Sequence, residues 1–249
     1  MGIKKHIPNV ITSLNLLFGT VAVIYAFEGY QVFAVYLILI AAVCDFLDGF
    51  AARLLKAYSP MGKELDSLAD LVSFGLAPSI LLYHKMDELL GSGITGGSQT
   101  LFLEILIFVP IVITIASALR LAKFNIDTRQ TVNFIGVPTP ANALLICMFL
   151  HFTTYNTFFD GLLNTYYFIP IASLFLSFLL VSNIPMFSLK FKSLKWKGNE
   201  MRYLLIITAI VLLITALIIN VTWSVSLLIV FCLYILVNIV IYLVNCVKR

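Results

Sequence analysis

Charge is scarce in this sequence. Asp, Glu, Lys and Arg make up 11% of its 249 residues, against about 25% in a soluble globular domain. That excludes a sizeable soluble domain. Cysteines in metal-ligand spacing are missing too. Cys44, Cys147, Cys232 and Cys246 stand singly in or at the ends of apolar stretches, which gives no basis for a disulfide framework. Histidine is limited to His6, His84 and His151, read as structural or solvated rather than catalytic. The net charge of +4 is spread over loop ends with one cluster, so membrane topology explains it better than nucleic acid does. The opening MGIKKHIPN runs into a polar-bearing apolar stretch without a small-residue cleavage site, so no cleavable signal peptide is expected. No internal repeat of transporter type is present.

What is abundant is apolar sequence, 61% of the chain, arranged in long runs. A helix needs about 20 such residues to cross about 30 Å of hydrocarbon. The pattern predicts an all-α integral membrane protein of about eight transmembrane helices, near 9–27, 31–53, 66–85, 101–122, 138–158, 163–186, 203–220 and 223–245. Fifteen of the sixteen Lys and Arg then fall on one set of helix ends, and Lys85 alone on the other. By the positive-inside rule both termini are expected in the cytoplasm. The Gly/Ser-rich stretch 91–99 reads as an outer loop. The stretch 190–200 reads as a basic inner connector with Trp196 as interfacial anchor, attraction of anionic lipid being a weaker alternative.

Four of the seven Asp residues crowd into 26 positions: Asp45, Asp48, Asp66 and Asp70. Asp45 and Asp48 are three apart and share a face at the inner end of the second helix. Asp66 and Asp70 are four apart and share a face at the start of the third. Turn residues Tyr58–Gly62 between them let the helices return side by side. Four carboxylates near hydrocarbon repel one another unless cations or protons neutralise them. Carboxylate oxygens suit Mg²⁺, Mn²⁺ and Ca²⁺, and two such ions about 3.5–4 Å apart form a clamp for phosphoryl chemistry. A single Asp at a helix end is ordinary; four at helical spacing on adjoining helices are not. Gly49 and Ala52 leave the same face open, although small residues also serve plain helix packing. Arg53 is shaped for phosphate oxygens, and equally for snorkelling to the interface.

The run CDFLDGFAARLLKAYSPMGKELDSLAD resembles the signature of the CDP-alcohol phosphatidyltransferase family, D-x2-D-G-x2-A-R-x8-G-x3-D-x3-D. Asp45, Asp48, Gly49, Ala52, Arg53, Gly62, Asp66 and Asp70 meet it without a departure. With residue usage of several per cent each, a chance match is on the order of 10⁻⁸ per chain. The resemblance implies a six-helix core, with two helices added at the C-terminus. It implies that Asp45, Asp48 and Asp66 ligate two divalent ions, Mg²⁺ or Mn²⁺, and that Asp70 is general base and a further ligand. It places Gly49 and Ala52 against the substrate nucleotide, Arg53 near its phosphates and Gly62 among the substrate-binding residues, and it implies a homodimer.

The segments 8–19, 119–125, 136–143 and 182–190 resemble the serine-using membrane branch of the family in bacteria and archaea. The implied reaction joins CDP-diacylglycerol and L-serine into phosphatidylserine and CMP. The resemblance covers 1–190, with 191–249 left as a basic loop and two packing helices. Arg120, Lys123 and Asn142 fall on the aspartates' side of the membrane, as do Asn9, Thr12, Ser13 and Asn15, so they are candidate substrate-binding groups. Arg120 forks naturally onto a carboxylate or a phosphate. Glycerol 3-phosphate or an inositol phosphate is the nearest alternative acceptor. A cation channel or transporter would place its acids near mid-membrane, and a scaffold gives no reason for so costly a cluster. The expected location is a cytoplasmic membrane, with the site facing the cytoplasm and lipid around it.

Overall fold

A computed structural model of the chain describes residues 6–90, 101–127, 134–163, 165, 167–187, 196 and 199–247. Helices α1 (Ile7–Phe27) and α2 (Gln31–Leu54) are joined by a closed turn. Tyr30 N–H donates to Tyr25 O at 2.9 Å and Gly29 N–H to Ala26 O at 3.3 Å, with Gly29 at φ +81°. This double bond is the Schellman closure of a helix end. The same closure ends α2. Ala57 N–H reaches Ala52 O at 2.9 Å and Lys56 N–H reaches Arg53 O at 3.3 Å, but here the left-handed position is held by Lys56 at φ +50°. A side chain in that conformation costs about 1–2 kcal/mol, and it turns the chain back toward α2.

Ser59 then caps the next helix. Its backbone is extended, its Oγ accepts from Gly62 N–H at 2.9 Å, and Pro60 occupies the first turn. The third long helix therefore starts at Pro60, earlier than hydropathy places it, because the cap and not the apolar run sets the boundary. Helix α3 (Pro60–Asp70) passes through a π-helical turn, Leu71–Leu76, into α4 (Ala77–Leu89). Pro78 has no N–H for the carbonyl one turn back, and Ala77 N–H bonds instead to Val72 O, five residues back. Hydroxyls of Ser79 and Thr114 reach the carbonyls of Leu76 and Gly75 at 2.8 and 3.4 Å. The widened turn begins directly after Asp70, and such turns gather at functional sites.

Helix α5 (Leu101–Leu106) leads through a 3₁₀ turn, Val109–Ile111, into α6 (Val112–Ile126). A two-residue strand β1 (Phe134–Ile135) precedes α7 (Thr139–Tyr155). A short α8 (Asp160–Leu163), α9 (Phe168–Val181), β2 (Pro185–Met186), α10 (Glu200–Ile218) and α11 (Ser224–Val247) complete the chain. β1 and β2 pair antiparallel, Phe134 opposite Met186 and Ile135 opposite Pro185. Apart from that short pairing the described architecture is all-α.

Six described helices are long and apolar enough to cross a membrane, seven if the bent pair Thr157–Leu163 and Phe168–Val181 is one span. Beside the eight expected, the remaining candidate is α7, which has 17 residues. The chain is a multi-pass membrane protein. Its core, with Ile38, Phe74, Leu81, Met86 and Ile146 at 4% exposure or less, draws on α1, α2, α4, α6, α7, α9 and α11. Helix α10 is different: Ala216 is its buried residue, it packs on α11, and its apolar face is left for lipid. At one end of the bundle meet the starts of α1, α3 and α7 and the ends of α2 and α6. At the other, Gln31 Nε2 donates to Leu150 O at 2.7 Å, and the His151 ring bridges Tyr36 and Ser224.

Candidate active site

The four aspartates gather at the first of these ends. One carboxylate oxygen each from Asp45, Asp48 and Asp66 lie within 4.8 Å of one another. Helical spacing puts the first pair on one face of α2, and the Lys56 closure with the Ser59 cap brings α3 against it. Asp48 is 6% exposed and Asp70 8%. Asp70 stands outside that group of three but within the electrostatic reach of Asp45, Asp66, Arg120 and Asp48.

Helix α1 supplies the groups that hold these carboxylates. Its buried residues recur three and four apart, at Pro8, Thr12, Asn15, Gly19, Ala22 and Ala26, so one stripe faces inward. Thr12 Oγ1 donates to Asp48 Oδ2 at 2.6 Å and Asn15 Nδ2 to Asp70 Oδ1 at 3.3 Å. Ser73, in the π turn, donates to the carbonyl of Asn15 at 3.0 Å and fixes the two elements together. Ser13, on another face, is exposed and bonds its own helix at Asn9 O. Bonds to ionised acceptors are about twice as strong as neutral ones, so Thr12 and Asn15 set where two of the acids point. The sequence grouped them with the aspartates; only the fold shows which acid each one meets.

Beside the carboxylates is a cavity of about 190 Å³ between α1, α2 and α3. Asp48 and Asp66 line it, together with Gly49, Ala52, Gly62, Asn9, Tyr58 and Lys63. Three residues expected to bind substrate thus edge one opening with two of the acids. A β-carbon on Gly62 would stand 2.9 Å from Asn9 Oδ1 and 3.0 Å from Ser59 Oγ, so adding one would make the Asn9 side chain shift. Lys63, which sequence reading passed over, donates from Nζ to Asn125 O at 2.9 Å and ties the cavity to the end of α6. Its spacing from the signature acids gave no signal. Arg53 is exposed in the last turn of α2, with its Nη1 turned back toward Gly49.

The acceptor-side candidates separate. Arg120 is 6% exposed, donates from Nη1 to Thr139 Oγ1 at 3.1 Å, and lies over the Phe124 ring at 5.4 Å. Asn142 is wholly buried, and neither its Oδ1 nor its Nδ2 has a hydrogen-bond partner among the described residues. Lys123 goes elsewhere, donating to Asn183 Oδ1 at 2.7 Å. Arg129 and the connector 190–195 lie outside the described residues.

The donor set passes a test of fit for hard divalent cations. All three clustered groups are carboxylates, they come from two helices held by defined caps, and their oxygens already stand close together. Uncompensated, such a group is costly at a membrane boundary; oxygen ligands are what Mg²⁺ and Mn²⁺ prefer.

A model of the CDP-alcohol phosphatidyltransferase family matches residues 5–187, and the chain belongs to that family. Among curated proteins it is similar to a CDP-diacylglycerol–serine O-phosphatidyltransferase of Helicobacter pylori, 33% identical over 195 residues that cover 76% of this chain and 74% of that one. It is similar to the protein of the same name from Bacillus subtilis, 36% identical over 180 residues, 72% of this chain and 89% of that one. The Methanocaldococcus jannaschii protein of that name is 31% identical over 179 residues, 72% of each chain.

Proposed function

We propose that the chain transfers the phosphatidyl group of CDP-diacylglycerol to L-serine, giving phosphatidylserine and CMP. The observation that carries this reading is the convergence of Asp45, Asp48 and Asp66 beside a cavity edged by Gly49, Ala52 and Gly62. Small residues there admit the cytidine nucleotide, and Arg53 and Lys63 are the cations at hand for its phosphates. Asp45, Asp48 and Asp66, flanked by Asp70, would hold a pair of divalent cations, Mg²⁺ or Mn²⁺, which supply charge neutralisation at the pyrophosphate. Asp70, oriented by Asn15, takes the proton from the serine hydroxyl. The serine oxygen then bonds to the lipid-side phosphorus as the bond to the CMP oxygen breaks. Arg120 binds the serine carboxylate, and the buried amide of Asn142 finds its missing partners in the acceptor.

The site sits at the membrane boundary because one substrate is water-soluble and the other carries acyl chains. The Lys and Arg asymmetry supports placing that boundary on the cytoplasmic face of a cell membrane. We assign 1–190 as the catalytic membrane domain and 191–249 as a basic loop with two further helices, and family resemblance supports a homodimer. A panel of acceptors (serine, glycerol 3-phosphate, inositol phosphate) offered to purified protein with CDP-diacylglycerol tests the reading. Serine alone is expected to give a lipid product with equimolar CMP. Preference for a phosphorylated alcohol would reassign the acceptor. Cation flux without CMP release would replace the enzyme with a transporter.

A further inference from the structure

Helices α10 and α11 lie beyond the segment that matches the family, residues 5–187, yet α11 is bonded to the acceptor side of the site. Tyr234 and Asn238 stand one turn apart on α11, each 2% exposed in a helix otherwise rich in apolar residues. Both grip Phe187. The Tyr234 hydroxyl donates to Phe187 O at 3.0 Å, and Phe187 N–H donates to Asn238 Oδ1 at 2.8 Å. The Phe187 and Tyr234 rings meet edge to face, 5.2 Å between centroids. Asn238 Nδ2 is used as well, on Tyr234 O at 2.6 Å.

From Phe187 the connection runs inward through backbone. The residues just before it form β2, paired with β1. Gly136 N–H donates to Ile184 O at 2.9 Å and Val137 N–H to Leu179 O at 3.1 Å. Gly136 holds φ +75°, and a β-carbon there would overlap the carbonyl of Leu180, so the turn has one shape. Two residues beyond Val137, Thr139, wholly buried, accepts from Arg120. Tyr234 itself lies within electrostatic reach of Arg120. Polar side chains inside a membrane helix are expensive unless they have work to do, and here both bond the backbone of one residue, Phe187.

We infer that Tyr234 and Asn238 are positioning residues for the acceptor: through Phe187 and the 134–139 turn they fix Thr139 and hence Arg120. This rests on the proposed role of Arg120. It gives α11 a part in acceptor binding as well as packing, one that the matched core does not contain. The nucleotide side, built on α1, α2 and α3, is independent of it.

The test compares Tyr234→Phe, Asn238→Leu and, as a control at the far end of the same helix, Ser224→Ala, which removes the bond to His151. Full-length protein in lipid nanodiscs is assayed at varied serine and varied CDP-diacylglycerol. Tyr234→Phe is expected to raise the serine KM roughly 2- to 10-fold, the range that one hydrogen bond is worth, with Asn238→Leu at or above the top of that range. The KM for CDP-diacylglycerol stays within twofold of wild type, and Ser224→Ala changes neither. Hydrogen exchange at Gly136 and Val137 quickens in the first two variants and not in the third. An unchanged serine KM, an equal rise for both substrates, or the same shift in Ser224→Ala would overturn the inference. If wild type prefers another alcohol, the serine assignment fails and the comparison is made with that alcohol. If wild type transfers to none, the proposed function fails, and unchanged exchange at 136–137 overturns the positioning link by itself.

Discussion

Replacing Thr12 by Val removes one oxygen and leaves the shape of the side chain nearly intact. In the folded protein Thr12 Oγ1 donates to Asp48 Oδ2 at 2.6 Å, both residues being 6% exposed or less. A carboxylate oxygen of Asp48 also lies within 4.8 Å of one from Asp45 and one from Asp66, so the hydroxyl bears on which way the carboxylate faces. A hydrogen bond to a charged group is worth about 1.5–3 kcal/mol. At 1.4 kcal/mol per tenfold, its loss should weaken divalent-cation dependence of CMP release by roughly 10- to 100-fold in half-saturating concentration. Thr12→Ser restores the donor and should return most of the effect. The assay is CMP release by purified protein titrated with Mn²⁺ or Mg²⁺ at saturating substrates. A Thr12→Val protein that titrates like wild type, while remaining folded, would refute the view that α1 orients the acidic cluster.

Four further outcomes are expected. Asp70→Asn keeps the shape of the site and should lower turnover about 10²- to 10⁴-fold, the span of a general base, while CDP-diacylglycerol still binds; a turnover near wild type would remove Asp70 from proton transfer. Gly62→Ala puts a β-carbon 2.9 Å from Asn9 Oδ1 and should raise the KM for CDP-diacylglycerol with that for serine unchanged, which initial-rate kinetics would show. Asn142→Leu relieves a buried amide without partners and should stabilise the protein by about 1–3 kcal/mol while weakening serine binding; a lower Tm would contradict it. Chelation of divalent cations should abolish CMP release, with recovery on adding back Mg²⁺ or Mn²⁺ and none in Asp45→Ala or Asp66→Ala.

The acidic cluster could be read before the fold was known because its information is local. Spacings of three and four fix a helix face, and a turn between two such pairs brings the faces together. The same logic reached Thr12 and Asn15 as polar groups on one side of the membrane, although their pairing with Asp48 and Asp70 needs the crossing of α1 over α2 and α3. Lys123 shows where local spacing stops. It lies three residues from Arg120, yet its amine turns to Asn183, sixty residues on, a tertiary choice that neighbours in sequence do not encode. The helix start at Pro60 was hidden because hydropathy sees apolar runs, whereas Ser59 and Gly62 set the boundary by a capping bond. Hydropathy began the sixth span at 163, five residues ahead of α9 at Phe168, since a window averaged across a bend reads as one span. The grip of α11 on Phe187 joins residues 47 and 51 positions apart, beyond any periodic signal.

In the proposed mechanism, carboxylates from two helices hold cations against a nucleotide-activated lipid. Crystals of the protein grown with Mn²⁺ and CDP-diacylglycerol, measured at the manganese absorption edge, test this directly. Anomalous peaks are expected among Asp45, Asp48 and Asp66, with the cytidine in the cavity bounded by Gly49, Ala52 and Gly62. Manganese found elsewhere, or a nucleotide bound away from those three acids, would contradict it.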